Sequence, residues 1–320
     1  MTALLAAIAI RPLALSDLPQ AEQVLCATLP YDRCSLVAKE KLFGPNHGRT
    51  GYAVGAFSPS QDLLAVLALA GRWVKVLAVL PKFQRRGLGT ALLGWAKETL
   101  KKNGGGSLRI GDHPGNYLSP GVDERYLGAH AFFLARGLVR RATVLNLRVP
   151  FSDNPLVSQA RLDELSFRAQ KAGYLLRRAG TLDAEPLKKL IGRHFAPVWS
   201  FEVARACGPA LGAEAAALTH ELPEGPAVHI AIDAHGAAGG DIVAFAVHDG
   251  NNRGLGWFGP MGTLATHRGR GLGEALLLAC LLDVQHRPEG GVIAWIGPQA
   301  FYERVAGALP DRRFTVFEEP

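Results

Sequence analysis

The fold of this 320-residue chain is decided by QRRGLGTALL at residues 84–93. The apolar run VKVLAV at residues 74–79 comes before it and has the length and β-branched content of a strand. Residues 91–101 have the composition of a helix, so Gly87 and Gly89 stand at a strand-to-helix turn. The first amides of a helix have no partners within the helix and carry the positive end of its dipole. The stretch therefore predicts an anion site, where the missing Cβ atoms let a phosphate approach the main chain.

The same pattern occurs a second time. RGRGLGEALL at residues 268–277 repeats it 184 residues later. At the same offset Trp73 corresponds to Trp257, and each copy is followed by a second apolar strand, at residues 107–110 and 291–296. A supersecondary unit repeated at domain-sized spacing predicts two related domains.

The Gln/Arg-x-x-Gly-x-Gly turn between a strand and an Ala-Leu-Leu helix resembles the acetyl-coenzyme A motif of the GNAT N-acetyltransferases. It differs from the dinucleotide fingerprint, which needs a further glycine and a later acidic residue, and it lacks the Gly-Lys-Ser/Thr of a P-loop. Because the likeness covers both halves, the chain resembles a tandem GNAT protein, a layout shared by the mycothiol synthase family. No residue match is specific to the substrate site of that family.

The resemblance implies an α/β (α+β) fold with two tandem GNAT domains. Each would have a mixed, mostly antiparallel twisted sheet flanked by helices. The predicted ranges are an N-terminal GNAT domain at residues 1–150, a linker at 151–172 and a C-terminal GNAT domain at 173–320. The linker is placed where a turn-rich stretch, residues 150–155, is followed by helical spacing at residues 158–171.

The resemblance also implies that the turn amides hold the pyrophosphate of acetyl-coenzyme A, while the preceding strand lines its pantetheine arm. In the first copy the cofactor-binding positions are Leu77, Ala78, Val79, Arg85, Arg86, Gly87, Leu88, Gly89 and Thr90. In the second copy they are Met261, Gly262, Thr263, Gly269, Arg270, Gly271, Leu272, Gly273 and Glu274. The arginines of the two turns, with Arg268, would either contact phosphates or remain solvated loop charges.

Tyr302 is the candidate catalytic residue. Acetyl transfer requires a proton for the departing thiolate, and tyrosine keeps its proton at neutral pH because its ordinary pKa is about 10. In many GNAT enzymes this acid lies in a Phe/Leu-Tyr-x-x-x-Gly pattern, which FYERVAG at residues 301–307 carries with one extra residue. FFLARG at residues 132–137 has Phe133 at that position, and phenylalanine donates no proton. The chemistry is therefore expected in the C-terminal domain, although Tyr302 could instead only pack its helix onto the sheet.

Two further features leave alternatives open. The general base is not assigned; the candidates are His229, His248, Asp249, Glu202 and an ordered water. The loop DHPGNYLSPGVD at residues 112–123 resembles a string found in bacterial tandem GNAT proteins, or it is a structural loop whose polar side chains bond its backbone. Tyr117 or Tyr126 could bring a hydroxyl to the N-terminal site from this region.

The composition and charge of the chain narrow the class of protein to which it could belong. The net charge of +7 suits an anionic cofactor, and the basic residues are scattered without a run of five, which argues against nucleic acid. The four cysteines show no zinc-ligand spacing and are typical of reduced thiols in the cytoplasm, so no metal is expected. The apolar residues 4–10 follow no basic residue and predict a first strand rather than a signal peptide, and no apolar stretch reaches eighteen residues.

The predicted function is transfer of acetyl from acetyl-coenzyme A to a primary amine of a small molecule. The expected partners are that amine substrate, without nucleic acid or membrane, in a cytoplasmic monomer or homodimer. The alternatives are a protein N-acetyltransferase and a non-catalytic acyl-coenzyme A-binding regulatory protein.

Overall fold

The computed structural model describes residues 7–207, 227–236 and 240–320. The chain forms two compact units. The first comprises the chain up to Val144 together with Arg313–Pro320, and the second comprises Leu145–Arg312. By its resemblance to GNAT domains the chain is predicted to have an acceptor-side region at residues 198–222. The part of this region that follows residue 207 lies outside the described residues.

The first unit contains four α-helices and, wholly or in part, eight strands of the described chain. Its helices are α1 (Leu18–Thr28), α2 (Cys34–Phe43), α3 (Leu88–Lys102) and α4 (Leu127–Leu134). Its strands are β1 (Ala9–Pro12), β2 (Gly51–Phe57), β3 (Leu63–Ala70), β4 (Trp73–Val79), β5 (Arg109–Ile110), β6 (Val122–Asp123) and the last residues of β13 (Leu309–Glu318). The strand β7 (Val139–Arg148) begins in this unit and continues into the second.

The sheet of the first unit has the order β1-β2-β3-β4-β5-β13. Its neighbours are antiparallel except for the parallel pair β4 and β5, and β6 also pairs with β13. All eight residues of β3 are buried, which fits a central strand covered on both faces. The apolar side of α3, including Leu92 and Leu93, packs in the same core as Phe317 from the end of the chain.

The second unit repeats this plan. Its helices are α5 (Gln159–Lys171), α6 (Ala184–His194), α7 (Pro197–Ala206), α8 (Leu272–Val284) and α9 (Gln299–Ala306). Its further strands are β8 (Tyr174–Arg178), β9 (Val228–Asp233), β10 (Asp241–His248), β11 (Phe258–Thr263) and β12 (Val292–Ile293). The order is β8-β9-β10-β11-β12-β7, antiparallel except for the parallel pair β11 and β12. The predicted mixed, mostly antiparallel sheet flanked by helices is confirmed in both units.

The boundaries of the compact units differ from the predicted domain ranges. The predicted linker, residues 151–172, belongs to the second unit, because α5 buries Leu165 and Ala169 in its core. Residues 313–320 belong to the first unit, where Phe317 pairs with Ile110 of β5. Each sheet is thus completed by the strand that follows the other repeat, and local sequence patterns carry no information about that long-range pairing.

Candidate functional site

The two glycine turns have the same main-chain conformation. Gly87 (φ 92°) and Gly271 (φ 76°) are left-handed, and α3 and α8 begin at the next residue. Two positions earlier Arg85 (φ 60°) and Gly269 (φ 74°) are left-handed as well. Alternation of left-handed and right-handed residues directs successive N–H groups toward one point, which makes an anion-binding concavity.

The first residue of each motif fastens the turn to its strand. Gln84 Nε2 donates to the Val79 carbonyl at 3.0 Å, and Arg268 Nε donates to the Thr263 carbonyl at 3.1 Å. Val79 and Thr263 are the last residues of β4 and β11. In both units the turn is therefore hydrogen-bonded to the end of the preceding strand. The guanidinium of Arg268 therefore has a structural partner in the main chain.

The strands before the turns present alternate residues to the site. Leu77 and Val79 line a cavity in the first unit, whereas the intervening Ala78 is buried and is not part of that lining. In the second unit, a Cβ placed on Gly273 would lie 3.2 Å from Met261 Cε and 3.6 Å from Thr263 Oγ1. A Cβ placed on Gly262 would contact the Phe195 ring instead. In each predicted cofactor-binding set, the strand residues therefore lie on both faces of the sheet.

The cavity of the first unit has a volume of about 820 Å³, within the range typical of ligand sites. It extends from the glycine turn to a polar region that is formed by Lys75 of β4 and by residues around the start of α4. From the turn it is lined by Arg85, Gly87, Leu88, Gly89 and Thr90. From the polar region it is lined by Asp32, Lys75, Ser119, Asp123, Arg125 and Tyr126.

The third helical residue differs between the two turns. In the first unit Arg136 Nε donates to the Thr90 hydroxyl at 3.1 Å. In the second unit the corresponding Glu274 forms an ion pair with Arg161, whose guanidinium also donates to the Val305 carbonyl at 2.6 Å. The carboxylate of Glu274 is thus compensated by a neighbouring cation at a helix end that attracts anions.

The other arginines of the two turns lie beside aromatic rings. The guanidinium of Arg86 is 5.6 Å from the centre of the Phe83 ring, and that of Arg270 is 5.5 Å from the centre of the Tyr174 ring. Both side chains are exposed, and at these distances cation–π attraction is weak.

The helices α4 and α9 bring equivalent side chains to the two turns. A Cβ on Gly89 would lie 3.2 Å from the Phe132 ring, and a Cβ on Gly273 would lie 3.9 Å from the Phe301 ring. The next residues, Phe133 and Tyr302, are therefore structural counterparts.

These counterparts are both buried. Phe133 packs against Phe317, with ring centroids 5.5 Å apart. Tyr302 packs edge-on against Phe258 and Phe301, at centroid distances of 6.2 and 5.2 Å. Burial raises the pKa of Tyr302 to about 12, so the phenol holds its proton at neutral pH.

Three of the four candidate bases form one network. His248 lies 3.0 Å from Asp249 Oδ2 through Nδ1 and 3.2 Å from Asp283 Oδ2 through Nε2, and His229 Nε2 lies 2.7 Å from the same Asp283 oxygen. Burial by itself lowers the pKa of His248, but the hydrogen bonds to the two carboxylates outweigh it and raise the pKa. Asp283 is near the end of α8, roughly 16 Å along the helix from the glycine turn.

The fourth candidate base, Glu202, is buried in α7. The network and Glu202 thus lie on different elements, and the geometry singles out no base.

The loop at residues 112–123 contributes both structure and cavity lining. Asn116 is fully buried; its Oδ1 accepts from Lys41 Nζ at 3.0 Å and its Nδ2 donates to the Pro45 carbonyl at 3.0 Å. Tyr117 is buried, whereas the Tyr126 hydroxyl donates to Asp32 Oδ2 at 2.8 Å in the cavity wall. Of the two tyrosines, Tyr126 is the one that lines the cavity.

The sequence patterns did not point to Lys75 or Asp32 as cavity residues. A signal for Lys75 was present, because a single lysine inside the apolar strand VKVLAV is unusual unless it is paired or functional. Asp32 follows α1 in a loop and carries no pattern of its own. Within the described ranges no three His, Cys, Asp or Glu side chains are placed to share a metal ion, and no helix there has the length and hydropathy to cross a bilayer.

Comparison with protein families matches residues 27–128 to the acetyltransferase (GNAT) family. The search of curated proteins returned no match. Among solved structures, the chain is similar to a GCN5-related N-acetyltransferase from Sphaerobacter thermophilus, with 16% identity and a TM-score of 0.61 over 98% of this chain and 95% of that one. It is also similar to a tandem GNAT protein from the clavulanic acid biosynthesis pathway, with 20% identity and a TM-score of 0.63 over 97% and 98%.

A third similar structure is the GCN5-related glucosamine N-acetyltransferase region of a fungal multi-domain GH3 β-N-acetylglucosaminidase. The identity is 17% and the TM-score 0.72 over 97% of this chain, which spans 38% of the fungal protein. At these identities the likeness shows the fold. It covers nearly the whole chain, beyond the segment that the family comparison matches.

Proposed function

We propose that the chain is a tandem GNAT protein and that it transfers the acetyl group of acetyl-coenzyme A to a primary amine of a small molecule. The proposal rests on two glycine turns that keep the same left-handed residues and the same side-chain bond to the preceding strand. Hydrogen bonds to a charged phosphate contribute roughly 1.5–3 kcal/mol each, so several amides at one turn make a useful binding site.

We further propose that the second unit performs the transfer and that Tyr302 protonates the departing thiolate. The amine nitrogen attacks the thioester carbonyl to form a tetrahedral intermediate, and its collapse breaks the carbon–sulfur bond as the sulfur takes the phenolic proton. The attacking nitrogen loses a proton to solvent, and the tyrosinate regains one from solvent. The observation that carries this assignment is the position of Tyr302 beside Phe301, which packs next to Gly273 of the turn. In the first unit the equivalent side chain is Phe133, which has no proton to give.

The test is a thiol-release assay with acetyl-coenzyme A and a panel of small-molecule amines, run beside lysine-containing peptides. The proposal predicts thiol release that depends on a small amine and exceeds background hydrolysis. A regulatory protein would bind the cofactor without releasing thiol, and a protein acetyltransferase would prefer the peptides. Either of those outcomes would refute the proposed activity.

A further inference from the structure

The sheet of the second unit opens beside the strand that leads to its glycine turn. The strand β12 is parallel to β11 and ends at Ile293, which lies opposite Phe258. Beyond that pair β11 continues to Thr263, so its last residues are out of register with β12. The carboxyl ends of neighbouring parallel strands are where open α/β sheets bind ligands. The opening between β11 and β12 is therefore well placed for a substrate that approaches the turn.

Trp295 lies at this opening, two residues after the end of β12. Its side chain is 40% exposed, and its φ of 47° is left-handed. Bulky residues are strained in that region, and such strain is frequent at ligand sites. The main-chain N–H of Trp295 donates to Oδ1 of the fully buried Asn146 at 2.9 Å. The fold thus holds an exposed aromatic residue in a strained conformation beside the opening.

Phe195 occupies a position that lines the cavity in the first unit. An Arg–Asp ion pair precedes a helix in both units, at Asp17 before α1 and at Asp183 before α6. The two aspartates are 166 residues apart, as are Leu29 and Phe195, each of which directly follows its helix. Leu29 lines the cavity of the first unit. Phe195 is therefore its counterpart in the second unit.

The strand β11 makes room for the Phe195 ring. A Cβ placed on Gly262 would lie 2.5 Å from that ring, closer than carbon atoms pack, so glycine is needed here for space. The ring also stacks on Trp199, with centroids 5.9 Å apart and an angle of 24° between the planes. Both aromatic side chains are partly exposed. A flat, apolar surface therefore borders β11 on the face of Gly262.

The first unit has no aromatic residue at the two equivalent positions. Ile110 and Ile293 are equivalent, because each pairs with the strand that leads to the glycine turn and with an antiparallel strand on its other side. Two residues later the first unit has Asp112, which is also left-handed, with φ 33°, where the second has Trp295. The other counterpart, Leu29, is aliphatic. The aromatic residues are therefore a property of the second unit and not of the shared fold.

We propose that the acceptor of the second unit is an aromatic amine whose ring lies against Phe195 and Trp295. The inference rests on the proposed acetyl transfer and names the class of its substrate. The ring would lie on the face of β11 that carries Gly262, whereas Met261 and Thr263 face the glycine turn, where the cofactor is proposed to bind. The amine would then reach the thioester through the opening beside β12. A flat apolar surface favours an aromatic ring, since ring–ring contacts add to the burial of apolar area.

The experiment measures thiol release from acetyl-coenzyme A by the full chain with three amines. 2-Phenylethylamine and 2-cyclohexylethylamine have the same number of carbon atoms and differ in aromaticity, and propylamine has no ring. We expect kcat/KM for 2-phenylethylamine to exceed that for 2-cyclohexylethylamine by about three- to tenfold, the size expected of aromatic contacts. The excess over propylamine should be larger still, because propylamine also lacks the apolar area of a ring.

Variants at the two aromatic positions show where the preference arises. Trp295→Ala and Phe195→Leu, which introduces the side chain found in the first unit, should each reduce the ratio of the phenyl to the cyclohexyl amine toward one. Trp295→Phe keeps a ring and should retain most of the preference. Trp95→Ala, which removes a partly exposed indole from α3, is the matched control and should leave the ratio unchanged. Comparing ratios among variants cancels the different basicities of the amines.

Equal kcat/KM for the phenyl and cyclohexyl amines would overturn the inference, as would an undiminished ratio in folded Trp295→Ala or folded Phe195→Leu. Absence of thiol release with every amine would instead refute the proposed acetyl transfer. Calorimetry of the two ring amines with the chain saturated by coenzyme A then decides the aromatic site alone. Tighter binding of the phenyl amine supports the site, and equal or undetectable binding overturns it. The same calorimetry decides if the variants do not fold.

Discussion

At the scale of single residues, the proposed chemistry depends on the difference between Tyr302 and Phe133. A positioned general acid contributes about 10²- to 10⁴-fold to a rate. We expect Tyr302→Phe to lower kcat by a factor in that range while the affinity for acetyl-coenzyme A stays nearly unchanged, because the phenol acts in the transition state. Steady-state kinetics and calorimetry on the same preparation check both parts.

The matched control is a variant with both Tyr117→Phe and Tyr126→Phe, which removes the two hydroxyls of the first unit's loop region. It should retain turnover if the second unit performs the transfer. Full activity of Tyr302→Phe together with loss of activity in this control would assign the chemistry to the first unit.

The buried side chain of His113 leads to a prediction about how the stability of the chain depends on pH. Burial and the surrounding positive charges lower its pKa from 6.5 to about 3, so the folded chain keeps it neutral where the unfolded chain binds a proton. Protonation of His113 in the unfolded chain therefore lowers the free energy of unfolding. This loss is absent above about pH 6.5 and grows as the pH falls toward 3. The loss approaches a slope of about 1.4 kcal/mol per pH unit.

The measurement is urea unfolding between pH 7.5 and pH 4.5, compared with His113→Gln, which cannot titrate. The difference between the two proteins removes the contribution of the other titrating groups. Parallel stability curves for the two proteins would contradict the assignment of a neutral, buried His113.

The positions of the two glycine turns could be predicted from the sequence, whereas several side-chain contacts around them could not. The glycines and the Tyr302 motif stand in local patterns, and the structure brings both to one end of the second unit's sheet. The Arg268 contact with Thr263 and the ion pair of Glu274 with Arg161 depend on side-chain directions that spacing alone does not give.

At the scale of elements, we propose that the strand–turn–helix unit binds the phosphates of acetyl-coenzyme A. We predict that Gly87→Glu and Gly271→Glu each abolish acetyl-coenzyme A binding in their own unit only, because the added carboxylate occupies and repels the phosphate position. Calorimetry of the single and double variants should show stoichiometry falling in steps.

Both glycines are left-handed, so any side chain there introduces strain. Gly87→Asn and Gly271→Asn serve as controls, since asparagine tolerates this conformation and carries no charge. They should retain more binding than the glutamate variants. Loss of all binding from either single glutamate variant, in a folded protein, would refute two independent sites.

The elements themselves were predictable where the periodicity was strong. The strand predicted at residues 74–79 is observed as β4, Trp73–Val79, and α3 follows its turn as expected. The second apolar strand after each turn is shorter than predicted: β5 and β12 contain two residues each. Apolar runs next to glycine-rich loops indicate which residues are buried, but they do not indicate where the hydrogen-bonded pairing with the neighbouring strand ends.

At the scale of the whole molecule, the first unit depends on residues at the end of the chain. Phe317 is fully buried and contacts Phe133 and His130, all within the first unit. We predict that Phe317→Ala lowers the free energy of unfolding by about 3–5 kcal/mol. Hydrogen exchange should show lost protection in β4 and α3 and little change in β11 and α8. Loss of protection in β11 and α8 instead would indicate that residues 313–320 stabilise the second unit. The predicted C-terminal domain at residues 173–320 would then be correct.

We propose that both repeats bind acetyl-coenzyme A, and a calorimetric titration of the full chain with acetyl-coenzyme A counts the sites. We predict saturable binding with a stoichiometry near two per chain, since both turns retain their glycines and their strand–helix setting. A stoichiometry near one would mean that one of the units has lost its site. Absence of any detectable binding would show that neither glycine turn is an acetyl-coenzyme A site.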